Sequence, residues 1–204
     1  GRDGRAQAGI IPAVVPGGVA APPTDADLRL ARRLASRSGP SAPVVVWAST
    51  DEPAPAIARN VARDLRAAGV RASTRLVSRP TLLRELGDPE GDVQIAYVRA
   101  RHDTLDPGGY LRLAVSGAGG GGSLDYTGLT DAGVRRLARR AVAAWGVRPR
   151  ADAWARVSTA LRSAAVYLPF AASVRWEPVG RRVSGYVAHP LYGFLWMRAR
   201  VPSG

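Results

Sequence analysis

Residues 91–111 read GDVQIAYVRARHDTLDPGGYL, a short apolar run that ends in charged residues and an Asp-Pro-Gly-Gly sequence. Val93, Ile95 and Tyr97 are β-formers spaced two apart, so the stretch predicts a short strand. Asp106, Pro107, Gly108 and Gly109 supply the residue types that turn a chain and end such a strand. In an open α/β sheet, ligands sit just beyond the carboxyl ends of the strands. Here that rim carries Arg99, Arg101, His102, Asp103 and Asp106, five ionisable side chains in eight residues. A solvated polar loop after a core strand is the plain reading of such a segment, and the flanking sequence gives it a further one.

Upstream, PVVVWAS at Pro43–Ser49 is a continuous apolar run with β-branched residues, as expected of a strand buried on both faces of a parallel sheet. The segment from Pro53 through Ala68 repeats Ile57, Val61, Leu65 and Ala68 at helical spacing, with Arg59, Arg63, Asp64 and Arg66 outside and Gly69 as its terminating residue. VRASTRLV at Val70–Val77 alternates like a second strand, and Pro80 opens a short helix closed by Gly87. The succession is β-α-β-α-β with short connections, which predicts right-handed crossovers and a sheet flanked by helices. Before it, Thr24 or Asp25 caps a helix carrying Leu28, Ala31, Leu34 and Ala35, and the Gly- and Pro-rich residues 1–23 read as an extended lead-in over the surface.

Downstream, Tyr110–Val115 suggests one or two helical turns, and Ser116–Gly122 is a glycine-rich loop. Its literal GxGxxG, Gly117 to Gly122, does not leave a strand and open a helix, so it is read as a loop and not as a dinucleotide fingerprint. Thr130 or Asp131 caps a helix running to Trp145, with Val134, Leu137, Ala138, Ala141 and Val142 inward. A second helix over about 151–165 turns Trp154, Val157, Leu161 and Ala164 inward; an apolar strand at 166–170 and an aromatic, strand-like tail at 186–201 complete the chain.

Composition bounds the possibilities. The chain has 204 residues, 46% of them hydrophobic, enough for one sizeable core or somewhat more. It has no cysteine and two distant histidines, His102 and His189, so neither a disulfide scaffold nor a Cys/His metal site is expected. No apolar run reaches the length of about eighteen residues that spans a bilayer. The net charge is +13, from 29 basic residues, all arginine, against 16 acidic ones. Such a field favours anionic partners, but the arginines are scattered over helix faces and six per cent aromatic residues offer no interleaved stacking platform, which disfavours nucleic acid. The all-arginine, alanine-rich usage matches a GC-rich, actinobacterial-like genome.

In order and spacing, several segments resemble the family 5 extracellular solute-binding proteins, the receptors of ABC importers for peptides, nickel and glycosides. Ala31–Gly39 resembles the family's glycine-stopped helix, and Ala58–Val70 (ARNVARDLRAAGV) its most recognisable one. Gly91-Asp92-Val93, Asp103 and Asp106-Pro107 resemble its strand, cleft aspartate and aspartate-proline turn; Tyr126-Thr127-Gly128 and Tyr167-Leu168-Pro169-Phe170 resemble later turns and strands. The resemblance implies an α/β fold, the second lobe of a type II periplasmic-binding-protein-like architecture. It divides the chain into 1–23 as lead-in, 24–176 as ligand-binding lobe and 177–204 as a return segment, with a first lobe absent from this sequence, which would then be a fragment.

That resemblance also implies a function: non-enzymatic capture of a small extracellular solute, peptide-like or other, by cleft closure, and delivery to a membrane permease. The full-length protein would be extracytoplasmic and anchored as a lipoprotein. Asp103 matches the aspartate that holds a ligand ammonium in peptide-binding members. Arg99 and Ala100 stand where the family has glycine and tryptophan, so Arg99 and Arg101 offer forks to a carboxylate or phosphate. Tyr97, His102, Asp106 and Tyr126 complete the candidate ligand-binding set, and no cofactor, metal or catalytic grouping is expected. A basic nucleic-acid-binding or ligand-sensing regulatory module is the alternative.

Overall fold

The protein is described by a computed structural model covering residues 4–6, 9–18, 27–39, 42–88, 90–99, 104–111, 126–127, 129–173, 177–189 and 193–201. In chain order the elements are β1 (Gly4–Ala6), α1 (Leu28–Arg37), β2 (Val44–Ser49), α2 (Ala54–Ala67), β3 (Ala72–Val77), α3 (Arg79–Gly87), β4 (Ile95–Ala96), α4 (Pro107–Leu111), α5 (Ala132–Ala143), α6 (Val147–Ser163), β5 (Ala171–Ser173), β6 (Ala188–His189), β7 (Gly193–Phe194) and a 3-10 turn at Trp196–Arg198. They form two compact units, Asp25–Arg101 and a second made of Gly1–Thr24 with His102–Gly204.

In the unit Asp25–Arg101, the three strands form a parallel sheet in the order β3-β2-β4. Val44 to Ser49 pairs with Ala72 to Val77, and Val46 and Trp47 pair with Ile95 and Ala96. The chain thus adds β3 on one side of β2, then crosses to add β4 on the other, as the β-α-β-α-β reading expects. Ala54, Ala58 and Ala62 recur every four residues along α2, so they share one stripe, and they are buried with Val46 and Ala48 of the sheet. Alanine there lets helix and sheet backbones approach closely. Past the end of α2, Gly69 takes a φ of +92° and Val70 donates to the Leu65 carbonyl at 3.0 Å, a left-handed helix stop that glycine adopts without strain.

The same unit departs from expectation at two elements. β4 is two residues long, shorter than the run Val93–Tyr97 suggested, although the Tyr97 N–H still donates to the Trp47 carbonyl at 2.9 Å. In α1, capped by Asp27 accepting from the Leu30 N–H at 2.8 Å, no side chain is buried, and Leu28 and Leu34 are exposed. Helical spacing shows that a stripe exists; it does not show that anything covers it.

The other unit is built on the pair α5 and α6, packed against each other and joined by three residues. Val134, Ala138 and Ala141 from α5 meet Ala153, Trp154, Val157 and Leu161 from α6. Two predicted inward positions, Val142 and Ala164, are exposed instead, because each lies at or beyond a helix end. The segment read as a surface lead-in contributes to this core: Ile11 and Val15 are buried in it, and Gly4–Ala6 pairs antiparallel with Ala171–Ser173. The strand expected at 166–170 therefore falls just after it, where β1 supplies a partner.

Asp106-Pro107-Gly108-Gly109, expected as a turn, begins helix α4. Asp106 Oδ1 accepts from the Gly108 N–H at 2.7 Å, and Pro107 at the first helical position has no N–H to leave unpaired. Glycine at 108 serves contact: a Cβ there would stand 2.8 Å from Cζ2 of Trp154. In the tail, β6 and β7 form a short antiparallel pair, Tyr186 stacks on Phe194 at 5.0 Å, and the edge of Trp196 meets Phe194 at 4.3 Å. The glycine loop, Gly117 to Gly122, lies outside the described residues.

Candidate functional site

Within the unit Asp25–Arg101, a cavity of about 350 Å3 opens at the carboxyl ends of β2 and β4. Its wall comes from Ser49 at the end of β2, Asp51 to Ala54 leading into α2, Arg79, Leu82 and Leu83 of α3, and Tyr97 to Arg99 after β4. This placement follows from topology. Because β3 and β4 flank β2 on opposite sides, the connections leaving β2 and β3 diverge and leave a crevice at the strand ends, the usual ligand position in an open α/β sheet. The volume is at the small end of ligand pockets.

Local sequence sets each wall. Ser78 caps α3, its hydroxyl accepting from the Thr81 N–H at 3.3 Å, so Arg79 stands on the first turn at the cavity. The Ala54 N–H donates to the Asp51 carbonyl at 2.9 Å, which fixes the Asp51–Glu52 bend, and Thr50 donates to the Val77 carbonyl at 2.9 Å, tying that bend to β3. Leu82 is buried beneath the cavity, and Tyr97 is half-buried beside Ile95 on the sheet core. The charged wall groups are two arginines, Arg79 and Arg99, and two carboxylates, Asp51 and Glu52, and none of the four joins a salt bridge among the described residues. Both signs of charge and a phenol therefore line one small cavity. Such a wall can hold a ligand carrying an anionic and a cationic group.

The candidate residues read from the sequence are distributed differently. Tyr97 and Arg99 line the cavity. Arg101, His102 and Asp103 lie outside the described residues. Asp106 belongs to the other unit, where its carboxylate takes two hydrogen bonds from Arg150, from Nε at 2.6 Å and from Nη2 at 3.1 Å. That hydrogen bond raises the Arg150 pKa. Arg150 also donates through Nη1 to the Ala141 and Val142 carbonyls at 3.2 and 3.1 Å, closing the end of α5. Tyr126 is half-buried ahead of α5. Sequence reasoning missed Ser49, Asp51, Glu52 and Arg79. The available signal was positional: all four lie at or just after the carboxyl ends of β2 and β3, the same criterion applied to the strand at 95–96.

No group of three or more potential metal-ligating side chains occurs among the described residues, and no described helix is long and apolar enough to cross a membrane. No protein-family model matches the sequence, and no curated protein sequence matches it either. Solved structures do share its fold. HbpA2 from Haemophilus parasuis is similar with a TM-score of 0.84 at 20% identity, over 98% of this chain and 41% of that one. The ABC transporter-associated periplasmic binding protein DppA from Helicobacter pylori, solved with the peptide STSA, gives 0.74 at 15% identity over 98% and 40%. The murein tripeptide binding protein MppA of Escherichia coli gives 0.75 at 16% over 96% and 40%. The chain thus has the α/β fold of part of a periplasmic binding protein, as its resemblance implied, and spans about two fifths of the length of these structures.

Proposed function

We propose that this chain is the second lobe of an ABC-importer solute-binding receptor and that it captures a small peptide-like solute without chemical change. The observation that carries the reading is the cavity at the carboxyl ends of β2 and β4, where Arg79, Arg99, Asp51 and Glu52 present both charges around Tyr97. A zwitterion such as a short peptide matches it: guanidinium forks suit a terminal carboxylate, and the carboxylates suit an ammonium. The peptide and tripeptide named for the similar structures support the same ligand class.

In this reading Arg101, His102, Asp103 and Tyr126 also belong to the ligand-binding set, with Asp103 as a further ammonium acceptor. Asp106 is assigned to holding Arg150. Residues 24–176 form the lobe, 1–23 lead into it and 177–204 return toward a first lobe that corresponds to the remaining length of the longer structures. Closure of the two lobes on the solute delivers it to a permease, and the complete receptor is an extracytoplasmic lipoprotein.

The test is an amide-resolved NMR titration of the chain with di- to tetrapeptides up to millimolar concentration. Shifts should concentrate at residues 49–54, 79–83 and 97–99, and Arg99→Ala should weaken the binding severalfold or more. Saturating peptide with no perturbation at these positions overturns the assignment of the site.

A further inference from the structure

We infer that the tip of the α5/α6 hairpin docks on a membrane surface bearing anionic lipid. The tip shares no residue with the cavity and is independent of the function proposed above. Its apolar part is strongly exposed. Trp145, in the three-residue link between the helices, is 95% exposed, and Val147 at the start of α6 is 77% exposed. Val142 in the last turn of α5 is exposed as well, as are Ala143 and Pro149.

Its charge is one-sided. Residues 132–151 hold six arginines, Arg135, Arg136, Arg139, Arg140, Arg148 and Arg150, and no Asp or Glu. Arg150 is neutralised by Asp106. Arg139, Arg140 and Arg148, nearest the tip, are exposed and join no salt bridge among the described residues, and Asp152 is the nearest acid in the sequence.

The tip is also held in shape. Gly146 turns the chain with a φ of +87°, and Arg150 bonds at once to the Ala141 and Val142 carbonyls and to Asp106, locking the end of α5 to the start of α6. An exposed indole on a braced link is presented without the entropy of ordering a loop. Tryptophan favours the headgroup level of a bilayer, where its ring is half in hydrocarbon and its N–H is wet. Arginines around it supply attraction to anionic headgroups, roughly fivefold in binding for each that reaches the surface. Charge complementarity is what selects lipid over an apolar protein groove: a groove would cover the indole, but nothing about it calls for three unpaired arginines at the rim.

The experiment is flotation of the whole chain with vesicles of phosphatidylcholine alone or with roughly one-third phosphatidylglycerol, repeated for Trp145→Ala and for the triple variant Arg139→Gln, Arg140→Gln, Arg148→Gln. Circular dichroism confirms that these exposed substitutions leave the fold intact. Binding is expected to the anionic vesicles only, weakened about tenfold by the loss of Trp145 and about a hundredfold in the triple variant. Absence of vesicle binding overturns the inference. So does binding that Trp145→Ala leaves unchanged, or random duplex DNA competing through the same arginines with no role for Trp145, since either outcome makes the tip a general polyanion patch.

Discussion

Asp106, a candidate ligand group in the sequence, has a structural partner in the fold. A carboxylate beside a proline at a strand end is a reasonable ligand group, yet here it receives Arg150 in two-pronged geometry and caps α4 through the Gly108 N–H. The arginine side chain is 30% exposed and the aspartate 40%, so the pair is partly shielded from solvent. Asp106→Asn should cost about 1–3 kcal/mol, and a double-mutant cycle with Arg150→Gln should return a coupling of about 1 kcal/mol by urea denaturation; zero coupling would make the contact incidental. Gly108→Ala would push a methyl to 2.8 Å from Trp154 Cζ2 and 2.7 Å from Asp106 Oδ1, with a loss of about 1–3 kcal/mol as the overpacked core shifts. Tyr110 makes a pH prediction. Burial raises its pKa because the phenolate is the form that loses solvation. The contribution is therefore fully present below about pH 10 and is lost as pH rises through the higher folded value. Tyr110→Phe should lessen the decline of stability above about pH 10; an unchanged slope would assign that decline to other groups.

Among the elements, those whose pattern carries its own partner were legible and the others were not. β2, α2 and β3 stand within two residues of their expected bounds, because an apolar run, the helical repeat of Ile57, Val61, Leu65 and Ala68 and a glycine stop each specify geometry locally. The buried stripe of α2 is nonetheless Ala54, Ala58 and Ala62 and not the one expected. The rest depended on distant chain. Ile11 and Val15 become core only because α5 and α6 offer a cleft for them, and β5 forms at 171–173 because β1 returns to pair there. The same holds for the site: Tyr97 and Arg99 were found because they follow a strand in sequence, whereas Arg79 joins them only through the crossover that carries α3 past β2. α2 packs closely on the sheet through small side chains. Ala58 and Ala62 are wholly buried against Val46 and Ala48, so there is no room for a longer side chain. Ala58→Leu should destabilise by about 1–3 kcal/mol, in contrast to a substitution at exposed Arg59, which should be within about 0.5 kcal/mol of neutral. Equal effects at the two positions would mean that the helix does not sit on the sheet by this face.

For the whole molecule, the governing quantity is charge. Twenty-nine arginines face 16 carboxylates, and among the described residues only three side-chain ion pairs form, two of them between sequence neighbours. The pair Arg63–Asp64 is strongly exposed and contributes little by itself. The net charge of +13 opposes compaction, because folding brings like charges closer than they are in the extended chain. Self-repulsion of this kind lowers the stability of the compact state. Salt shortens its range: the screening length falls from about 30 Å at 0.01 M to about 8 Å at 0.15 M. The same salt weakens the few favourable pairs, but Arg150–Asp106 is hydrogen-bonded and partly shielded, so it is screened less than open surface charge. The sum predicts that the melting temperature rises as sodium chloride is added from low ionic strength to about 0.15 M, with most of the gain at the low end. A carboxylate introduced at exposed Arg136, as Arg136→Glu, should raise the low-salt melting temperature and flatten its dependence on salt, since it removes one positive charge and adds a negative one among neighbouring arginines. Melting that falls with salt would show that favourable pairs outweigh the net charge, and would place the stabilising electrostatics in contacts between oppositely charged groups.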